Sequence, residues 1–395
     1  MMTTLQESFA ARVTSTGYEE FLSSLNSWLG LTIQYRVCEM PIFVDAPFRN
    51  LLETSARDII LQCVAKDYLE KTDATLLEHT TVAHQNDRPL FSVVDFAVCQ
   101  DESGTYAPRL IELQGFPSLF GYQYLFASRM REFYELWETT PFFSGLDHDS
   151  YTQLLRSAIY GDIDPEETVL LEIDPNEQKT RPDFVALEKL IGLRTVNLRD
   201  VRKVGKGLVA PGPTGAMLPI RRIFNRAIID ELDDLGVTMP FSWNDDLDVQ
   251  WAGHPNWYFR ISKYSLPYLN HPSVPKTLFL SAINELPDNL DAYVLKPLFS
   301  FAGKGVVVAP TTEDIQNIAR EERGNWVLQE RVNYAPCIYT PHGNNRVEIR
   351  VMLIWLPDME TPLPVMSLAR TGRGAMMGAR YNTDPWTGSS GCLFG

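Results

Sequence analysis

Two stretches far apart in the chain carry side chains suited to opposite walls of a phosphate site. Around Lys296, AYVLKPLFSFAGKGVVVAP has the pattern of a strand, a glycine turn and a second strand. Gly303 and Gly305 would let the backbone come close to a phosphate, while Lys296 and Lys304 supply countercharge. Around Glu112, PRLIELQGFPSLFGYQ supplies oxygen donors. Period-two alternation puts Glu112 and Gln114 on one face of a strand, where Asp95 on a partner strand can join them. Hard oxygen ligands of this kind suit Mg2+, which keeps several waters and bridges to nucleotide phosphates. The two stretches together point to ATP with magnesium.

FAGKGV lacks the GxxxxGKS/T spacing of a P-loop and the GxGxxG spacing of a dinucleotide fingerprint, and better suits a flexible lid. VLQERV has the pattern of an adenine-binding edge. Its backbone would meet the base along Gln329, Glu330 and Val332, and Glu330 could accept from a ribose hydroxyl. Arg350 and Arg370 lie on late strands, and Arg370, at a strand-to-loop junction, is placed to offset charge on a transferring phosphoryl group. Each of these features taken singly also fits an ordinary structural role: a solvated strand-end lysine, a half-buried strand, an exposed carboxylate pair, a surface ion pair. The histidines are scattered and carry no assigned role.

The elements that must position these residues follow from periodicity. Leu5 to Leu29 and Phe48 to Leu69 have helical spacing and are expected to cover a sheet. Leu90 to Val98 and Arg109 to Leu113 form a hairpin about a turn at Asp101, Ser103 and Gly104, and a long helix runs from Tyr122 to Thr139. Between Ser150 and Asn270, strands ETVLLEI and RTVNL alternate with helices at Asp183 to Ile191 and near Ile220 to Leu235, a small α/β unit. TLFLSAINEL is expected to be helical. Strands follow at AYVLKPL, KGVVVAP, NWVLQERV, VEIRVMLIW and PVMSLAR, with a helix at TTEDIQNIAR started by Thr311 and Asp314. The glycine-rich stretch from Gly372 to Gly395 is expected to be a loop.

With 395 residues and 45% hydrophobic content the chain can bury two or three packed units. A net charge of −15 disfavours nucleic acid as a partner, because that binding rests on clustered Lys and Arg. Five scattered cysteines with no CxxC pair suit a reducing compartment. No basic leader precedes an apolar run and no stretch approaches the ~18 apolar residues of a membrane span, so a cytoplasmic protein without a membrane partner is expected.

With these pieces in order, the chain resembles the ATP-grasp superfamily, and within it the circularly permuted branch that includes the synthetase domain of glutathionylspermidine synthase. In most ATP-grasp enzymes the magnesium carboxylates follow the lysine strands, whereas here Asp95 and Glu112 precede them. SKYSLPYLNHP is similar to the branch's segment bearing the first nucleotide lysine, which makes Lys263 that residue, and YVLKPL supplies the second, Lys296. VLQERV matches the adenine segment, Arg370 the arginine over the transferred phosphate, and Asp95, Glu112 and Gln114 the metal set. The chain departs from the branch at Val93 and Phe301, where arginines are usual, and at Gln114, where asparagine is usual.

The resemblance implies a mixed α+β or α/β architecture, the circularly permuted ATP-grasp fold with an inserted small α/β unit. Residues 1–149 would hold the helical cover and metal hairpin, 150–255 the inserted unit, and 256–395 the lysine strands, lid and remaining strands. The branch's cysteine amidase domain is expected to be absent. The implied activity is an ATP-dependent carboxylate–amine ligase acting through an acyl phosphate on small molecules. The departures keep two alternatives open, a nucleotide-binding module without turnover and a small-molecule kinase.

Overall fold

The computed structural model describes residues 1–395 apart from 2, 77–78, 230–231, 233–234, 300–303 and 379–380. FSVVDFAVC and VEIRVMLI are apolar almost throughout because their strands lie in the middle of a sheet covered on both faces. That sheet has six strands in the order Ile42–Val44, Gly388–Phe394, Leu363–Gly372, Arg346–Ile354, Phe91–Gln100 and Tyr106–Gln114. All neighbours are antiparallel except the first pair. One face packs on the helix Ala46–Gln62, whose Leu52, Ala56, Ile59 and Ile60 join Val94, Phe96, Ile349 and Val351 in the largest core. The other face is divided. Its far end meets the helix Phe120–Phe133 through Phe91, Val93, Met352 and Met366, and its near end carries charged residues.

Two smaller sheets flank this charged end. Thr277–Phe279, Trp326–Glu330, Tyr293–Pro297 and Val307–Val308 form an antiparallel sheet. Leu295 and Leu328 pair on its outer face and bury against Leu280 and Ile315, leaving Val294, Lys296 and Gln329 on the inner face. The second sheet is parallel, in the order Gln250–Ala252, Arg222–Asn225, Thr168–Glu172 and Arg194–Asn197. Its helix Arg181–Ile191 packs on Phe120–Phe133. A three-stranded hairpin sheet, Arg202–Val204, Gly207–Pro211 and Met217–Ile220, lies beside it.

Several expected elements are redrawn. Leu5 to Leu29 is two helices, Thr3–Arg12 and Ser15–Leu29, because the Thr14 side chain caps the second by accepting from Gly17 N. The helix expected to reach Thr139 ends at Phe133, and Glu135 turns the chain with a left-handed φ of 53°. The stretch expected as a helix near Ile220 to Leu235 begins with strands Met217–Ile220 and Arg222–Asn225, whose buried Ile220, Ile223 and Phe224 suit a pleated surface. TLFLSAINEL is the strand Thr277–Phe279 followed by one 3-10 turn. The largest change is the C-terminal stretch, where GSSGCLF is a fully buried strand. Its small residues let the chain run tight against neighbours: a Cβ on Gly391 would sit 3.2 Å from Ala127, and one on Gly388 2.3 Å from the Arg36 carbonyl. The hairpin at Asp101 and the Thr311–Asp314 capping box form as the residue types require. No helix among the described residues is long and apolar enough to cross a membrane.

Gly388 combines that close approach with a φ of 112°. Gly388→Ala is therefore expected to lower unfolding free energy by at least about 2 kcal/mol. Urea denaturation measures this, and an unchanged midpoint would contradict the tight strand packing.

Candidate functional site

Antiparallel register decides which charges meet. Asp95 lies opposite Arg350 on one side and opposite Glu112 on the other, and Glu348 lies opposite Arg370. Period-two alternation then places Gln114, Glu112, Asp95, Arg350, Glu348 and Arg370 on one face of the central sheet. Across from them the inner face of the smaller antiparallel sheet presents Lys296, and the 3-10 turn Lys263–Tyr268, capped by Ser262, presents Lys263. The two groups enclose a cavity of about 440 Å3.

Lys296 is only 6% exposed. Its ammonium donates to the Ile111 carbonyl at 2.9 Å and to Gln329 Oε1 at 2.6 Å. Burial lowers its pKa from 10.5 to about 8, and the charge of Glu112 partly opposes that shift. Lys263 is lowered for the same reason, again with Glu112 opposing. Lys263 and Lys296 thus place two buried ammonium groups beside one cavity. Gln329 Nε2 and Arg370 Nε are buried without a hydrogen-bond partner among the described residues. An anion with several acceptor oxygens fits such a wall.

Asp95 sits differently from its expected place in a metal set. It is 1% exposed and both carboxylate oxygens are engaged. Arg350 binds them through Nε at 2.6 Å and a terminal nitrogen at 2.7 Å, and Arg370 adds a bond at 2.8 Å. Burial pushes this carboxyl up, but the two guanidinium groups more than reverse the effect and hold it below its usual value. Arg370 also pairs with Glu348 at 3.1 Å, and Tyr334 donates to Glu348 at 3.1 Å. Burial raises the Glu348 pKa, with Arg370 opposing. Burial disfavours the Arg370 charge, yet Glu348, Asp95 and Glu112 hold its proton more firmly than usual.

The cavity wall includes Glu112, Gln114, Lys263, Lys296, Gln329, Glu330, Val332 and Arg370, so these sequence-singled residues come together. Asp95 lies behind the wall. Lys304 and Gly305 form an exposed turn off the wall, although the neighbouring Val306 and Val308 line it. Gly303 and Phe301 lie outside the described residues. Sequence reasoning missed Glu348 and Arg226, both on the wall. Glu348 was discoverable, since alternation in VEIRV puts it on the face of Arg350.

For ATP the donor chemistry fits: buried cations line a cavity large enough for a nucleotide. For magnesium the fit is narrower. Among the described residues no group of three or more His, Cys, Asp or Glu is arranged to hold a metal ion. Glu112, Gln114 and Glu348 remain on the wall as oxygen donors, while Asp95 in this arrangement serves two arginines.

No protein-family model matches the chain, and no curated protein matches it in sequence. Among solved structures it is similar to a glutathione synthetase like-effector from Globodera pallida in apoform, with a TM-score of 0.58 and 12% identity over 95% of this chain and 96% of that one. At that identity the likeness shows the fold alone: mixed α/β with several sheets, like that of the effector.

Removing the carboxylate from Asp95 leaves two guanidinium groups facing a neutral amide in a buried site. Asp95→Asn is expected to cost about 3–5 kcal/mol of stability. Denaturant unfolding tests it, and a loss under about 1 kcal/mol, as for an exposed pair, would show that the clamp is solvated.

Proposed function

We propose that the protein is an ATP-dependent carboxylate–amine ligase with the circularly permuted ATP-grasp arrangement, the parallel-sheet segment being its inserted unit. The observation that carries this reading is the single cavity on which Lys263 and Lys296 meet Glu112, Gln114 and Arg370. Lys263 and Lys296 would hold the phosphates. The edge Gln329, Glu330 and Val332 would meet the base and ribose, and the turn at Lys304 and Gly305 would close over the phosphates. Bound magnesium would neutralise phosphate charge, with Glu112, Gln114 and Glu348 as the oxygen donors that would hold it.

The chemistry is mainly positioning and neutralisation. A substrate carboxylate oxygen bonds to the γ-phosphorus as its bond to the β,γ-bridging oxygen breaks, releasing ADP and leaving an acyl phosphate. An amine nitrogen then bonds to the acyl carbon, the carbon–oxygen bond to phosphate breaks, and the amine gives up a proton. Arg370, fixed by Asp95 and Glu348, would offset the charge on the transferred group. Exclusion of water protects the acyl phosphate from hydrolysis.

The engagement of both Asp95 oxygens, together with Val93 where the branch has arginine, favours a second reading: a module that binds nucleotide without turnover. ADP formation from ATP, magnesium and mixed carboxylates and amines separates the two.

Two outcomes are expected if the nucleotide lies against Lys296. Lys296→Met should weaken binding of a non-hydrolysable ATP analogue at least about tenfold, the size of a lost charged hydrogen bond. The charges of Glu112, Lys263, Glu348 and Asp95 all act on Lys296, and its ammonium with a pKa of about 8 is charged below that pH and neutral above it. Analogue affinity should therefore fall as pH rises through about 8, and Lys296→Arg should flatten that fall. Calorimetric titrations between pH 7 and pH 9.5 check both; equal affinity in the methionine variant would remove Lys296 from the site.

A further inference from the structure

The polar face of the central sheet does not end with the nucleotide cavity. Directly opposed residues share a face, so the pairs Ala97 with Arg109 and Cys99 with Ala107 continue the face of Asp95 and Glu112 toward the hairpin turn. A second cavity, of about 320 Å3, opens on this stretch. Cys99, Ala107 and Arg109 line it from the sheet, together with Pro275 and residues 330–333. Those last four residues also line the nucleotide cavity, so one stretch of chain is a wall common to both.

The wall is anchored at each end to a different sheet. Glu330 N donates to the Lys276 carbonyl and Arg331 N to the Ala292 carbonyl, both at 2.8 Å, beside strands of the smaller antiparallel sheet. Past Asn333 the chain is laid on the central sheet, where Tyr334 bridges to Cys99 and Ala335 N donates to the Val98 carbonyl at 2.9 Å. The position of the wall therefore depends on both sheets.

Arg109 brings a guanidinium to the second cavity from the central sheet, and Arg331 brings one from the wall. Arg109 donates to the Pro272 carbonyl at 2.6 Å, and Arg331 reaches the Asp291 carbonyl at 3.5 Å. Among the described residues neither has a carboxylate partner, and each guanidinium carries more donors than these bonds use. Of the two acids on the lining, Asp101 is engaged in its own turn, accepting from Ser103 and Thr105, and Glu330 belongs to the edge proposed to meet the ribose. The Arg109 charge acts on the Cys99 thiol, opposing the burial that raises its pKa to about 11, so the guanidinium lies near this apolar part of the lining. Ala107, Val332 and Pro275 extend the apolar surface. Two planar guanidinium groups beside such a surface match an oxyanion carried on a short apolar body.

We propose that the second cavity is a regulatory site for a small organic carboxylate held between Arg109 and Arg331, whose occupant changes nucleotide affinity through the shared wall. The site stands apart from the ligase reading, and only the coupling rests on it. A carboxylate that engages both arginines ties the wall to the central sheet. Fixing the wall in advance removes part of the ordering that nucleotide binding otherwise requires, so the coupling is positive. By linkage the nucleotide tightens the carboxylate by the same factor.

The test is calorimetry on the full chain with benzoate, the straight-chain carboxylates from butyrate to octanoate, the corresponding primary amides and inorganic phosphate, each with and without a non-hydrolysable ATP analogue. At least one carboxylate is expected to bind at least about tenfold tighter than its amide, and to tighten the analogue about fivefold. Arg109→Gln should weaken that carboxylate at least about tenfold and leave the analogue's own affinity unchanged. Ala107→Leu, which fills the cavity without removing a side-chain hydrogen bond, should weaken the carboxylate as much and keeps the test decisive if Arg109→Gln fails to fold. Bound carboxylate should also slow methanethiosulfonate labelling of Cys99, which lines this cavity and not the first. The proposal is overturned if no carboxylate is preferred over its amide, or if phosphate binds as tightly with the same dependence on Arg109. It is equally overturned if binding survives the variants that fold and leaves Cys99 labelling unchanged, or if a bound carboxylate leaves analogue affinity as it was. Arg109-dependent carboxylate binding in a chain that binds no analogue would sink the nucleotide reading, and with it the coupling, and leave the site standing; analogue binding without a carboxylate site would do the reverse.

Discussion

A lysine ammonium held in a nearly dry pocket is the constraint around which this molecule is arranged. Removing a charge from water costs several kcal/mol unless fixed partners replace the solvent. Lys296 has a carbonyl and an amide oxygen as partners and Glu112 as a nearby charge, which leaves its pKa near 8. Two walls supply those partners. The Ile111 carbonyl belongs to the central sheet and Gln329 to the smaller one, so the hydrogen bonds of this one ammonium tie the sheets together across the cavity. Phosphate oxygens proposed to enter there would meet the same ammonium group.

The central sheet makes this possible by dividing one of its faces. At one end the side chains are apolar and pack under the helix Phe120–Phe133, and at the other they alternate acid and base. Arg350 and Arg370 converge on Asp95, and Glu348 receives the remaining reach of Arg370 and the hydroxyl of Tyr334. Every member fixes another, so Arg370 is oriented before any ligand arrives. The parallel sheet adds a third wall through its carboxyl edge, which brings Arg226 and Thr180 onto the same cavity.

The chemistry-bearing segments were legible because their signals are local. A lysine closing an alternating strand and an IELQ pair on one strand face need no tertiary information beyond the period of a strand. What stayed hidden depended on partners distant in sequence. Asp95 was grouped with Glu112 from their shared hairpin, but its two arginines come from strands some 255 and 275 residues away, and nothing in the hairpin announces them. The C-terminal strand was hidden for a related reason. GSSGCLF has no apolar period because close approach to Ala127 and Arg36, not side-chain hydrophobicity, selects its residues. Arg226 escaped notice because its stretch was assigned to a helix, whereas the strand ending at Asn225 delivers it to a sheet edge.

The ligase proposal requires one triphosphate to bridge the ammonium wall and the carboxylate wall of a single cavity. A crystal structure with a non-hydrolysable ATP analogue and magnesium tests it most directly. Phosphate oxygens are expected within hydrogen-bond distance of both Lys263 Nζ and Lys296 Nζ, with Glu112 on the opposite side of the same phosphates. An analogue seated away from Lys296, or one that leaves Glu112 and Lys296 against different surfaces, would contradict it.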